Sequence, residues 1–175
     1  MTSNRSLSTD RLLLRPFVAE DAERMYEILD GHEILKYFPG SEPATLPMAQ
    51  VMIDRAIAHW GIHGYGLWAV DASDGDQLMG RCGLQYLPET DEVEIDFLLE
   101  RSRWGQGFAT EAASASLAFG LERLGMTRIV GIVHPENAAS RRVLEKIGME
   151  YDVRTEYFGM VCDRYTVEVA DPITL

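Results

Sequence analysis

Apolar and polar positions sort this chain into a run of short elements. The stretch Arg11-Leu-Leu-Leu-Arg-Pro16 predicts a first strand, and residues 19–29 set Ala22, Met25, Ile28 and Leu29 at helical spacing until Asp30-Gly31 breaks the pattern. From 32 to 47 the periodicity is poor and Pro39, Gly40, Pro43 and Pro47 punctuate it, yet Ile34, Leu35, Tyr37 and Phe38 are too apolar for a solvated loop. Such a segment is expected to fold over something. Residues 48–62 predict a second helix with Val51, Met52, Ala56 and Trp60 along one face. Residues 65–70 and 78–86 read as strands joined by the polar turn 71–76, and a further strand runs from 92 to 99. Phe108, Ala112, Ala115 and Phe119, flanked by Ala113, Leu117, Leu121 and Leu124, predict a helix buried on a wide face and ended by Gly125. Residues 127–133 then predict a strand, 137–147 a helix closed by Gly148, and 149–169 two strands bent near Gly159.

Antiparallel strands followed by a strand–helix–strand crossover imply an α/β (α+β) fold. The expected sheet is mixed and mostly antiparallel, with about six to seven strands and helices on both faces. A chain of 175 residues, 46% hydrophobic, suits one domain over residues 1–175 with an ordered core of about 10–170. No apolar run approaches membrane-spanning length and residues 1–10 are polar with a single Arg, so a soluble, unprocessed chain without a membrane partner is expected. Cys82 and Cys162 stand alone in apolar-alternating stretches, which predicts reduced buried thiols, a cytoplasmic protein and no metal site. The formal charge of −12 opposes a nucleic-acid partner and suits a cationic substrate such as an amine.

Chemistry concentrates where the strand Val93-Glu-Ile-Asp-Phe-Leu-Leu99 gives way to Trp104-Gly-Gln-Gly-Phe-Ala-Thr-Glu-Ala112. A glycine turn opening a helix gathers unpaired amide donors at the positive end of the helix dipole, a site for an anion such as a phosphate. No Lys-Ser or Lys-Thr follows Gly107, which weakens a Walker-type loop, and Thr110 stands where a dinucleotide fingerprint has its third small residue.

Read with Asn137-Ala-Ala-Ser140 and Leu144-Glu-Lys-Ile-Gly148, the turn resembles the GNAT superfamily of N-acetyltransferases, and within it the branch that acetylates protein α-amines, including those of ribosomal proteins. The resemblance runs from Arg11 through Gly80-Arg-Cys-Gly-Leu84 to Tyr165. It implies a central β-α-β-α core that holds acetyl-CoA as the acetyl donor. Leu98, Leu99, Trp104, Gly105, Gln106, Gly107, Phe108, Ala109, Thr110, Asn137 and Ser140 would then surround the cofactor. Trp104 replaces the Gln or Arg that many members carry ahead of the Gly-x-Gly element, which leaves the phosphate contacts to the amides of residues 106–110, helped by Arg101, Arg103, Arg141 or Arg142.

Amine attack on a thioester needs a deprotonated amine, a stabilised oxyanion and a protonated leaving thiolate. An α-amine titrates at about 8 and a lysine at about 10, so a base helps the first and is close to essential for the second. By resemblance Glu94 is the leading base, Glu156 before Tyr157 is its rival, and His134 comes third. Ser140 is the acid for the thiolate, and a backbone N–H of Leu98 or Leu99 stabilises the oxyanion. Tyr37, Phe38, Asp96 and Tyr157 are expected to contact the acceptor, a protein N-terminal α-amine or a small-molecule amine. Every one of these residues also has an ordinary structural use as a core, cap or surface side chain. Direct transfer in a ternary complex is expected, since no cysteine falls in the expected site and a covalent step is thereby disfavoured. An acyl-CoA-binding module without turnover, and a nucleotide-binding protein using the same turn, are the alternatives. Apolar residues in the 32–38 segment are compatible with a homodimer seam.

Overall fold

The computed structural model describes residues 5–170 apart from 32, 41 and 76. His32 of the 32–38 segment and Asp76 of the 71–76 turn therefore lie outside the described residues, as do 1–4 and 171–175. The elements are β1 (Leu7–Ser8), β2 (Leu12–Arg15), a 3₁₀ turn (Ala19–Asp21) leading into α1 (Ala22–Leu29), α2 (Leu46–His63), β3 (Leu67–Ala72), β4 (Leu78–Leu87) and β5 (Glu92–Leu99). After a second 3₁₀ turn (Arg101–Arg103) come α3 (Phe108–Ala118), widening into a π turn (Phe119–Arg123), then β6 (Arg128–Val133), α4 (Ala138–Lys146), β7 (Glu150–Tyr157) and β8 (Met160–Glu168).

Among the described residues the strands form one eight-stranded sheet in the order β1-β2-β3-β4-β5-β6-β8-β7. Neighbours are antiparallel except β5 and β6, which are parallel because α3 carries the chain back across the sheet. The strand beyond the expected six to seven is β1, whose two residues pair as Leu7–Leu14 and Ser8–Leu13 and are too few to show an alternation. Helix α2 begins earlier than the 48–62 pattern suggests, because Pro47 sits in its first turn, where a missing N–H is harmless, behind the Thr45 cap. The helix expected up to Gly125 changes its winding at Phe119. Gly120 lies so close to the sheet there that a Cβ would run into Ile129 and Leu84.

The two faces of β5 divide the core. Ile95 packs with Ala112, Ala113 and Leu117 of α3 and with Leu144 of α4. On the opposite face Leu98 joins Phe17, Met25, Ile28 and Ile53 under α1 and α2. Strand β4 is held in continuous register against β5, from Gly80–Leu99 to Leu87–Glu92. Its Gly80 permits that approach, since a Cβ would collide with the Leu98 carbonyl oxygen and the Leu99 backbone. We expect Gly80→Ala to force these strands apart and lower unfolding free energy by about 2–4 kcal/mol, measured by urea denaturation.

Candidate active site

The sheet opens where β5 and β6 part. Among the described residues the two strands share one register pair, Glu94–Val130, although β5 continues to Leu99 and β6 to Val133. A cleft of ≈ 270 Å³ occupies the gap, lined by Glu94, Asp96, His134, Asn137 and Ser140 among others. It lies at the C-terminal ends of two parallel strands, the place where open sheets accept ligands. The Glu100 N–H donates to the Met79 carbonyl at 2.8 Å. Because β-strand amides alternate in direction, the Leu98 amide then faces β4, and those of Phe97 and Leu99 face the gap.

Past the end of β5 the backbone turns through Gly105 (φ 72°) and Gly107 (φ 82°), left-handed conformations that glycine adopts without strain. Gly107 is the N-cap of α3, and the first helical bond runs from the Glu111 N–H to the Gly107 carbonyl at 3.0 Å. The amides of Phe108, Ala109 and Thr110 precede it and point out of the helix start, as an anion requires. The Trp104 indole N–H donates to the Leu99 carbonyl at 2.8 Å, so that side chain ties the turn to the strand and has no donor left for a phosphate. From the other end of the chain, Arg11 donates to the Gln106 carbonyl (3.0 Å) and to Glu111 (2.7 Å) and lies over the Phe108 ring.

Across the cleft, Asn137 caps α4 by accepting the Ser140 N–H at 3.1 Å. The cap sets the first turn of α4, with Asn137 and Ser140 both in the cleft wall.

Strand alternation places Glu92, Glu94 and Asp96 on one face of β5, and all three are buried. Their partners differ. Glu92 receives Tyr157 Oη–H (2.6 Å), Arg128 (2.9 Å) and Arg164 (3.1 Å). Burial pushes the Glu92 carboxyl up, but the Tyr157 and Arg128 hydrogen bonds outweigh it and hold the group below its ordinary value. Asp96 lies 2.9 Å from the Arg81 guanidinium. Glu94 sits between the two and accepts a hydrogen bond from the neutral Gln85 amide at 2.9 Å. Burial first, and the Asp96 charge second, push the Glu94 carboxyl up to about 8, against weaker opposing effects of Gln85 and Arg81.

The residues expected to act together divide accordingly. Glu94, Asp96, Asn137, Ser140, Tyr37 and Phe38 meet in the cleft, where Tyr37 stacks on His134 with ring centroids 5.1 Å apart. Glu156 is exposed on β7 and outside the cleft wall, while Tyr157 turns inward to the Glu92 network. The period-two alternation of β7 separates those neighbours, so at most one of them reaches the interior. Sequence reasoning missed Arg81 and Gln85. The signal was available in the 88–91 hairpin turn, since the Leu87–Glu92 pairing fixes Gln85 opposite Glu94. Against the expectation of a site without cysteine, Cys162 lines the cleft, but it is buried, which raises its thiol above the ordinary value and disfavours the nucleophilic thiolate. Among the described residues no helix is long and apolar enough to cross a membrane.

Residues 11–150 match the acetyltransferase (GNAT) domain family. The chain is 30% identical over 145 residues to the uncharacterized N-acetyltransferase YoaA of Bacillus subtilis, covering 82% of either chain. An acetyltransferase structure from Agrobacterium tumefaciens superposes with a TM-score of 0.84 at 27% identity, covering 97% of both chains. RimL, a ribosomal L7/L12 alpha-N-protein acetyltransferase solved with coenzyme A, shares the fold at a TM-score of 0.76 and 15% identity, covering 92% of this chain and 96% of that one.

The Glu94 carboxyl has a stability consequence with a definite sign. Its value in the folded protein lies above the ordinary 4.5, so the folded state keeps a proton that the unfolded chain releases. Stability is therefore lost as pH rises between about 4.5 and about 8. Glu94→Gln is expected to match wild type near pH 4 and to exceed it at pH 9 by on the order of 5 kcal/mol, measured by denaturant titration at both pH values.

Proposed function

Because this chain belongs to the GNAT acetyltransferase family, whose reaction is acetyl-CoA-dependent acetyl transfer, we propose that it moves the acetyl group directly to a primary amine in a ternary complex, with Glu94 as the base. The observation that carries this reading is the row of three buried carboxylates in which, among the described residues, Glu94 is the one without an ion pair. A carboxylate left protonated near neutral pH releases and retakes a proton at little cost, which suits a general base. Glu156, exposed and outside the cleft wall, is the weaker candidate on the same reasoning.

In the proposed reaction the amine nitrogen attacks the thioester carbonyl carbon. The N–C bond forms and the carbonyl π electrons move to oxygen, where the Leu99 N–H facing the gap stabilises the charge. Glu94 takes the amine proton, directly or through one water. Collapse of the tetrahedral intermediate breaks the C–S bond, and the Ser140 hydroxyl hydrogen-bonds and protonates the departing thiolate, recovering its proton from solvent. The amides of residues 106–110 bind the pyrophosphate and the Asn137 end of α4 flanks the thioester. Acetyl-CoA supplies an activated acyl group, and the chain supplies placement, base and oxyanion donor.

The acceptor we favour is an α-amine. It titrates at about 8, which matches the Glu94 carboxyl, whereas a lysine amine at about 10 would give up its proton uphill. RimL, named for an alpha-N-protein substrate, shares the fold and adds support.

Calorimetry with acetyl-CoA tests the donor, and thiol release with an amine panel tests turnover. Glu94→Gln is expected to lower kcat/KM by about 10²–10³-fold with acetyl-CoA affinity retained, and Ser140→Ala by about tenfold. In wild type, kcat/KM should rise with pH and level off above about 8, the carboxylate being the active form. A Glu94→Gln enzyme as fast as wild type would place the base elsewhere, and binding without thiol release for any amine would leave a CoA-binding module.

A further inference from the structure

Arg81 is a cation inside the cleft whose bonding is incomplete. It extends from β4 into the wall shared by Phe38, Glu94 and Asp96, with its guanidinium 5.6 Å from the centre of the Phe38 ring. Nη2 pairs with Asp96 Oδ2 at 2.9 Å without the alignment of a hydrogen bond, and among the described residues the buried Oδ2 has no hydrogen-bond partner. Arg81 Nε is likewise buried and has no hydrogen-bond partner among the described residues, while Nη1 donates to the Met52 thioether at 2.9 Å. Sulfur is a weak acceptor, readily exchanged for oxygen. Buried Arg and Asp side chains are normally saturated with hydrogen bonds, and Arg15 with Asp21 shows this chain doing so, through two aligned contacts at 2.9 and 2.8 Å. Incomplete bonding of a charged pair at a cleft wall is the expected state of a site whose last partner arrives with the ligand.

We propose that Arg81, braced by Asp96, is a specificity-determining residue that binds an oxygen carried beside the acceptor's amine, selecting α-amino carbonyl compounds over plain amines. The proposal rests on the acetyl-transfer reading above. Glu94 and Asp96 are alternate residues of one strand, about 7 Å apart, so an amine at Glu94 leaves its neighbouring carbonyl within reach of the guanidinium. Arg81 and Asp96 compensate one another, so the net charge of this part of the cleft is set by Glu94.

Matched acceptors that differ only in the oxygen-bearing group test the proposal: glycinamide against methylamine and L-phenylalaninamide against 2-phenylethylamine, with glycine and L-phenylalanine separating a carbonyl from a carboxylate. The readout is the kcat/KM ratio within each pair, compared between wild type and variants so that intrinsic amine reactivity cancels. Wild type is expected to prefer the oxygen-bearing member, and Arg81→Met to reduce that preference at least about tenfold. Because Arg81→Met strands Asp96 as an unpaired buried charge, the Arg81→Met/Asp96→Asn double variant is measured in parallel and should show the same loss of preference. Equal loss for both members of each pair, or acetylation confined to amines without the oxygen, overturns the assignment while leaving acetyl transfer in place. Failure of wild type to bind acetyl-CoA in calorimetry overturns both.

Discussion

Like charges at alternate positions of a β-strand stand about 7 Å apart, and at the effective dielectric of a protein each adjacent pair repels by about 2 kcal/mol. Strand β5 carries three carboxylates in that arrangement, all buried on the face that lies under α1 and α2 further along. The fold tolerates them by supplying cations at the two ends. Arg128 and Arg164 come to Glu92 from β6 and β8, and Arg81 comes to Asp96 from β4. Three neighbouring strands are thus pinned by the charges of one. The middle carboxylate, screened from water and given only a neutral amide, absorbs the remaining imbalance as an altered proton affinity.

The same strand also supplies the opening. One edge of β5 is zipped to β4 along its whole length, and the other leaves β6 after a single pair. Unpaired amides inside a protein are ordinarily avoided because burying them without a partner is unfavourable. Here they border a cleft, where in the proposed reaction a ligand oxygen takes the place of the missing strand. The two edges are complementary, since the one zipped to β4 holds Glu94 and Asp96 in place while the one that leaves β6 borders the cleft.

Much of this was legible in the residues. The glycine turn, the Asn137 cap and the placement of Glu94 and Asp96 on one strand face follow from local rules, because φ > 0, helix starts and period-two alternation are properties of a few consecutive residues. Non-local facts were not legible in the same way. Whether Glu94 or Glu156 faces the cleft depends on which side of β7 turns inward, and Tyr157 takes that side because Glu92, 65 residues away, lies beneath it. Arg81 looked like any strand arginine until the β4–β5 register set it beside Asp96. Strand β1 was invisible for a simpler reason, since two residues carry no period.

Arg11 bonds to Gln106 and Glu111, partners about 100 positions away along the chain, and Thr9 reinforces the contact through Glu111. The glycine turn therefore takes its shape from the beginning of the polypeptide as well as from its own sequence. Closing a loop of about 100 residues costs entropy, which this clasp of hydrogen bonds and an ion pair offsets. A substitution in the 9–11 segment would then be felt at the glycine turn although no residue of the turn is altered.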